Sequence, residues 1–143
     1  MRILIDGDAC PVISVTEEIA KAKGIKVIIF TDITHQINTE NELIVLDKAN
    51  QSVDMAIFNH CMPGDIVVTQ DYGLASLVLN KGAKAINQSG MVYTEDNIDY
   101  LLMKRHIHAR MRRAGVRHLN MSKRTIEDDQ NYRKSLLKLI ENV

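Results

Sequence analysis

Short apolar runs alternate along the chain with segments in which apolar residues recur at helical spacing. The runs show little polar alternation, which is typical of parallel strands that are covered on both faces. Because strands and helices alternate, we expect an α/β fold, a three-layer sandwich with a mainly parallel central sheet and helices on both faces. The predicted strands are Arg2–Asp6, Ile25–Phe30, Leu43–Leu46, Asp65–Thr69 and Lys84–Asn87.

The segments between and after these runs carry helix signals. Ser52 and Thr94 are suitable N-caps, and Gly24 and Gly115 are typical of helix ends. The stretch Thr31–Asn41 is polar and is predicted to be a loop. The predicted helices are Pro11–Lys23, Ser52–Cys61, Tyr72–Asn80, Glu95–Ala114 and Thr125–Glu141.

Length and composition predict one compact domain over residues 1–143. Apolar residues make up 45% of the chain but aromatic residues only 4%, so Ile, Val, Leu and the 7 Met are expected to fill the core. Asp6 and Asp8 interrupt the first apolar run, so no signal peptide is predicted, and no apolar run along the chain is long enough for a membrane span. The spacing of Cys10 and Cys61 matches neither a metal site nor a redox motif, which indicates reduced thiols in a cytoplasmic protein.

The net charge of zero conceals an uneven distribution. Residues 1–100 carry 7 Lys or Arg and 14 Asp or Glu, whereas residues 101–143 carry 11 and 4. A basic region beginning near residue 95 favours a nucleic-acid or phosphate partner, and a basic helix packed beside an acidic domain explains it equally well.

Three aspartates follow predicted strands. Asp6 ends the first strand, Asp8 lies just beyond it, and Asp71 follows the fourth. Active sites of open parallel sheets lie beyond the carboxyl ends of the strands, so these side chains are expected around one crevice, with Asp54 closing it from a helix. Clustered carboxylates repel one another, and bound Mg²⁺ or Mn²⁺ would offset that repulsion and activate water towards a phosphodiester. Thr69 is suited to bond a carboxylate or a phosphate.

Each aspartate also has a purely structural explanation. Asp8 and Asp71 are suited to cap the helices that follow them, and Asp54 favours the positive end of its own helix. Asp6 is suited to accept bonds from nearby backbone N–H groups. Their common edge, rather than any single residue, favours a metal site, and the histidines, among them His35, are treated as non-ligands.

Two motifs resemble those of one bacterial family. The segment Asp6–Val12, DGDACPV, resembles the opening motif of the YaiI/YqxD family, whose usual form has Ala in place of Gly7. The segment Gly64–Ala75, GDIVVTQDYGLA, is similar to its second motif, and the resemblance covers essentially the whole chain. It implies a PIN-like fold, the architecture of many Mg²⁺-dependent ribonucleases and flap nucleases. The acidic site positions that it implies are Asp6, Asp54 and Asp71, with Asp8 as a family-specific addition.

Arginines concentrate in the basic C-terminal region. Guanidinium groups bind phosphate through paired hydrogen bonds, so this region is a candidate site for a nucleic-acid backbone. A solvated helix surface is the alternative. The candidate residues are Arg105, Arg112, Arg113 and Arg117.

These patterns predict a Mg²⁺- or Mn²⁺-dependent, endoribonuclease-like hydrolase acting on RNA or structured nucleic acid. In this hypothesis Asp6 and Asp71 bind the ion directly, while Asp8 and Asp54 hold metal-bound water or a second ion. Thr69 supports the carboxylates, and Arg112 and Arg113 position phosphate. The sequence is also compatible with a homodimer.

Three other functions fit parts of the same pattern. A catalytically degenerate PIN-like protein would bind nucleic acid without cutting it. A haloacid-dehalogenase-type phosphatase also has an Asp-x-Asp motif after its first strand, but its later strand ending in paired aspartates is missing, because Asp128 and Asp129 fall in a predicted helix. A phosphoacceptor receiver would use Asp6, Asp8, Asp47, Thr69 and Lys84, but Lys84 begins its predicted strand, whereas a receiver needs a lysine at a strand end.

Overall fold

The computed structural model describes residues 1–8, 10–47, 51–115 and 123–142. Within these ranges the strands are β1 (Arg2–Asp6), β2 (Lys26–Asp32), β3 (Glu42–Leu46), β4 (Ile66–Val68) and β5 (Lys84–Ile86). The helices are α1 (Ile13–Lys23), α2 (Val53–His60), α3 (Tyr72–Asn80), α4 (Glu95–Arg113) and α5 (Ile126–Glu141). The strands form one parallel sheet in the order β3-β2-β1-β4-β5.

Helices cover both faces of this sheet. On one face Ile3 and Ile5 of β1 pack with residues of α1 and α5, where Tyr132 is fully buried and its hydroxyl lies 2.7 Å from Thr16 Oγ1. On the other face Leu4 joins the core formed with α2, α3 and α4. The arrangement confirms the predicted three-layer α/β sandwich with a parallel central sheet.

Most predicted elements are confirmed within a few residues. Ser52, Thr94 and Thr125 each accept a backbone hydrogen bond as the N-caps of α2, α4 and α5. Helix α1 starts at Ile13 rather than at Pro11, which lies in a turn. None of the described helices combines the length and the apolar character needed to cross a membrane.

Two expectations were wrong. β2 continues through Thr31 and Asp32, which were predicted to begin a loop, because these residues pair in register with Val45 and Leu46 of β3. The methionines are not core fillers: the described ones are exposed except for Met91, which packs at the edge of the core. Branched aliphatic side chains fill the two cores instead.

The sheet order places three polar strand ends side by side. β1 lies between β2 and β4, with Asp6 opposite Phe30 and Ile5 opposite Val68. The residues that follow these pairs therefore meet at one edge, as parallel strands require. At the opposite edge, away from these strand ends, Asp65 accepts a hydrogen bond from Arg2 Nη2 at 2.7 Å.

Candidate functional site

Asp6 and Thr69 connect the ends of β1 and β4. Thr69 Oγ1 donates a hydrogen bond of 3.1 Å to Asp6 Oδ2 and accepts one of 3.0 Å from the Asp71 backbone N–H. The Thr69 side chain is buried, and its carbonyl oxygen accepts a bond from the hydroxyl of Tyr93. The predicted contact between Thr69 and a carboxylate is therefore present, and it aligns Asp6 with the segment that carries Asp71.

Asp71 caps helix α3. Its Oδ1 accepts hydrogen bonds from the backbone N–H groups of Gly73 at 2.9 Å and Leu74 at 3.3 Å. The structural explanation that the sequence offered for Asp71 is therefore confirmed. The cap also fixes the position of this carboxylate just beyond the end of β4.

Asp54 reaches the same place from α2, in the first turn after the Ser52 cap. Its pKa is raised to about 6, first because its carboxyl loses hydration in the crevice, then because it shares a hydrogen bond with Asp71 and feels the charges of Asp71, Asp6 and Asp8. The sequence offered Asp54 as a candidate to close the crevice from a helix, and in the structure it lies beside Asp71.

Asp6 is affected by the same crowding. Its pKa is raised, mainly by burial, and the charges of Asp8 and Asp71 add to the shift, while the hydrogen bond from Thr69 opposes it. The four predicted carboxylates therefore interact electrostatically at one edge of the sheet. Such a group is costly without a positive charge between its members.

Asp8 has a second set of neighbours. It does not cap α1 as the alternative suggested, since the N-cap position is Val12 and no side chain caps it. Instead Asp8 Oδ1 accepts a hydrogen bond of 3.1 Å from Thr31 Oγ1 and lies 3.4 Å from His35 Nδ1. Asp8 therefore belongs both to the four-carboxylate group and to a cluster beside β2.

Asp32 and His35 complete that cluster, and sequence reasoning missed both. Asp32 is only 1% exposed and lies 3.0 Å from His35 Nδ1, while its Oδ1 accepts a 2.8 Å hydrogen bond from Thr34 N. One ligand atom from each of Asp8, Asp32 and His35 lies within 4.8 Å of the others, a spacing that can hold a metal ion. The treatment of His35 as a non-ligand did not anticipate this cluster. Extending β2 to Asp32 would have revealed the cluster. Phe30 lies opposite Asp6 in the sheet, so Asp32, two residues after Phe30, comes level with Asp8, two residues after Asp6.

Gly7 holds the two aspartates of the opening motif close to β2. Its backbone N–H donates a 2.7 Å hydrogen bond to the carbonyl oxygen of Phe30. A Cβ at this position would lie 2.8 Å from that oxygen, so alanine would require the backbone to move. The exchange of Ala for Gly in this motif is therefore more than a change of side-chain size.

The predicted arginines lie along α4 or beyond it. Arg105 Nη1 lies 3.7 Å from Asp71 Oδ1, and its side chain is 62% exposed. Arg112 follows two turns later on the same helical face, and Arg113 is also exposed on α4. Arg117 lies outside the described residues. The structure thus brings one predicted arginine, Arg105, into contact with the carboxylates.

The sheet order contradicts the receiver alternative. β3 is an edge strand separated from β1 by β2, so Asp47, which follows β3, is not adjacent to the end of β1. Lys84 lies at the opposite edge, where its Nζ donates to the carbonyl oxygens of Leu139 and Asn142. Asp128 and Asp129 lie in the first turn of α5, which also removes the paired strand-end aspartates that a haloacid-dehalogenase-type phosphatase needs.

Comparison with known families matches residues 4–142 to a family described as "Uncharacterized BCR, YaiI/YqxD family". A "UPF0178 protein" of Clostridium kluyveri is 50% identical over 143 residues, which cover 99% of this chain and 94% of the relative. A relative with the same description in Clostridium tetani is 46% identical over 141 residues, covering 98% and 97%. Both relatives extend along essentially the whole chain.

Among solved structures, a crystal structure of Rae1 (YacP) from Bacillus subtilis covers the full length of both chains. The sequences are 17% identical, and the TM-score is 0.48. This likeness is too distant to bear on function.

Proposed function

The chain belongs to the YaiI/YqxD family, and we propose that it is a Mg²⁺- or Mn²⁺-dependent phosphodiesterase that acts on nucleic acid, with RNA as the favoured substrate. The observation that carries this proposal is the gathering of Asp6, Asp8, Asp54 and Asp71 at one sheet edge, where loss of hydration first, and then the neighbouring carboxylate charges, raise the pKa values of Asp6 and Asp54. Asp71 also caps α3, but a cap does not explain why three further carboxylates lie close to it, whereas a bound cation would offset the repulsion among all four.

The residues at this edge fit a hard divalent cation. Oxygen ligands from a few carboxylates are what Mg²⁺ and Mn²⁺ prefer, and mutual repulsion of the carboxylates is what such an ion relieves. In the proposal Asp6 and Asp71 hold the ion, with Asp8 and Asp54 beside them. Asp8, Asp32 and His35 offer a neighbouring position for a second ion, since their ligand atoms are already close together.

When bound, the ion supplies Lewis-acid activation of water and of the phosphodiester. The protein's own contribution is to hold the ligands in place before substrate arrives. Thr69 fixes Asp6 through its hydroxyl, and the α3 cap fixes Asp71. Asp54 stands at the exposed rim, so it remains accessible to solvent and substrate.

Arg105 is proposed to bind a phosphate of the substrate. Its guanidinium group lies beside Asp71, and its exposed side chain is free to turn from that carboxylate to a phosphate. Arg112 lies about 10 Å further along α4 on the same face, so it extends the positive surface away from the carboxylates. Together they would guide a nucleic-acid backbone towards the crevice.

A second candidate function rests on the same arginine. The Arg105–Asp71 contact partly neutralises the carboxylates without any metal, which favours a protein that binds nucleic acid but does not cleave it. This candidate predicts RNA binding that is independent of divalent ions.

The test combines cleavage and metal binding. Labelled single-stranded and structured RNAs are incubated with the purified protein and Mn²⁺, and Mn²⁺ binding is measured by calorimetry. We expect Asp6→Asn to abolish cleavage and weaken Mn²⁺ binding, and the exposed control Glu40→Gln to change neither. Equal cleavage by Asp6→Asn would contradict the proposal. RNA binding without cleavage or Mn²⁺ binding would instead support the second candidate.

A further inference from the structure

We propose that α4 carries a self-association surface on which a second copy of this chain docks in antiparallel orientation. The surface consists of Tyr100, Met103, Ile107 and Met111, here called the α4 stripe. These side chains are 65%, 64%, 48% and 41% exposed. Large apolar side chains that form one continuous exposed row are typical of an interaction site, whereas isolated ones are common on any surface.

The α4 stripe lies on the side of the helix opposite the protein body. Ile98 and Leu101 are buried on the inner side, where α4 packs against α3, and Arg105 on that side reaches Asp71. At about 3.6 residues per turn, the stripe residues cluster on the reverse face. A partner docked on the α4 stripe would therefore leave the carboxylate crevice open.

The charges of α4 favour a second copy in antiparallel orientation. The first turn carries Glu95 and Asp96, and the last turn carries Arg110 and Arg113 outside the face of Arg105 and Arg112. This distribution also suits the dipole of a single helix, but in an antiparallel pair it places acidic turns beside basic ones at both ends. A two-fold arrangement repeats each such contact, since the same surface is used by both copies.

One alignment of the two antiparallel α4 helices brings both the apolar residues and the charged residues of the two copies into contact. If Met103 packs against Ile107 of the second copy, then Tyr100 lies beside Met111 of that copy. Asp99 and Arg110 are separated by the same number of residues as Tyr100 and Met111, and they share one flank of the stripe. That register therefore brings Asp99 next to Arg110 of the second copy, twice. Neither residue has an ion-pair partner within the described part of this chain.

The size of the stripe limits the strength of the dimer. From Tyr100 to Met111 it spans about three helical turns, roughly 16 Å. This length is short for a permanent interface, so we expect a dissociation constant in the micromolar range.

Analytical ultracentrifugation of the full chain across micromolar concentrations tests the proposal. We expect a monomer–dimer equilibrium that Met103→Glu and Ile107→Glu both shift to monomer. The control Met62→Glu alters an equally exposed methionine in the turn before β4 and should leave the equilibrium unchanged. Circular dichroism checks that each variant keeps its helices.

Charge exchange tests the antiparallel register. Asp99→Arg and Arg110→Asp should each raise the dissociation constant about tenfold, and the double variant should restore it because both pairs are re-formed. A chain that stays monomeric, a dimer that ignores the stripe variants, or a double variant without rescue would overturn the proposal. Binding of the monomer to anionic phospholipid vesicles through the α4 stripe would overturn it as well.

Discussion

Thr69 and Asp6 are joined across two neighbouring strands by a 3.1 Å hydrogen bond in which the hydroxyl donates to Oδ2. The same hydroxyl oxygen accepts the backbone N–H of Asp71. One buried side chain thus aligns two carboxylates that are far apart in sequence, and it does so without contributing a charge of its own.

The first prediction removes that hydroxyl. Thr69→Val should weaken Mn²⁺ binding by about 10- to 100-fold, the usual effect of losing a group that orients a metal ligand. It should also lower the free energy of unfolding by about 1–3 kcal/mol, because the Asp71 N–H loses its partner. Calorimetry and urea unfolding measure both quantities. Thr69→Ser keeps the hydroxyl and serves as the control; if it behaved like Thr69→Val, the hydrogen bond would not be the cause.

The second prediction concerns the repulsion at Asp54. Its pKa of about 6 exceeds the ordinary value near 3.9, so without metal its ionised form destabilises the folded state above pH 6, and stability rises as the pH falls from about 6 towards 4. Asp54→Asn should therefore stabilise the metal-free protein at pH 8, by less than about 1 kcal/mol because solvent screens this exposed side chain. The gain should vanish near pH 4.

Thermal unfolding at the two pH values measures this effect. Added Mn²⁺ should raise the melting temperature of the unaltered chain more than that of Asp54→Asn. A variant that is less stable than the unaltered chain at pH 8 would show that Asp54 has a structural role instead.

The third prediction concerns Arg2 and Asp65 at the opposite edge of the sheet. Asp65 is buried, and the hydrogen bond from Arg2 helps to hold its pKa below the ordinary value despite the opposing effect of desolvation. Asp65→Asn should cost about 3 kcal/mol at pH 7, as breaking a buried pair usually does. Because the pKa is depressed, this contribution is present above the unfolded value near 3.9 and is lost as the pH falls through the folded one.

The matched control is Glu42→Gln, which breaks an exposed pair with Lys26. It should cost less than about 1 kcal/mol. Urea unfolding at pH 7 and pH 3 compares the two variants. Equal losses of unfolding free energy at pH 7 would show that the buried Arg2–Asp65 pair stabilises the fold no more than an exposed pair does.

The fourth prediction concerns Arg105 and RNA. Arg105→Gln should weaken RNA binding and lower the slope of log K against log salt by about 0.7, the value for one phosphate contact to a single strand. Fluorescence anisotropy at several salt concentrations measures the slope. Arg133→Gln is the control, because Arg133 pairs with Glu18 on the face formed by α1 and α5. An unchanged slope for Arg105→Gln would remove this residue from the proposed RNA surface.

Local signals were sufficient to predict most of the fold. The strands are nearly continuous apolar runs, and Ser52, Thr94 and Thr125 mark helix starts through hydrogen bonds within their own first turns. The carboxyl-edge rule then grouped Asp6, Asp8 and Asp71 because they follow β1 and β4, which the sheet order makes neighbours.

What the sequence did not reveal depends on distant contacts. Thr31 and Asp32 look like loop residues, yet they are buried because β3, Asp8 and His35 satisfy their polar groups. Helical spacing puts Arg105 and Arg112 on one face of α4, but only packing against α3 determines that this face meets Asp71. The exposed α4 stripe was missed for the same reason.

The central claim is that Asp6, Asp8, Asp54 and Asp71 hold a divalent cation, and a crystal grown with Mn²⁺ tests it most directly. An anomalous difference map should show a peak within coordination distance of both Asp6 and Asp71. An empty crevice, or a peak confined to Asp8, Asp32 and His35, would contradict the claim.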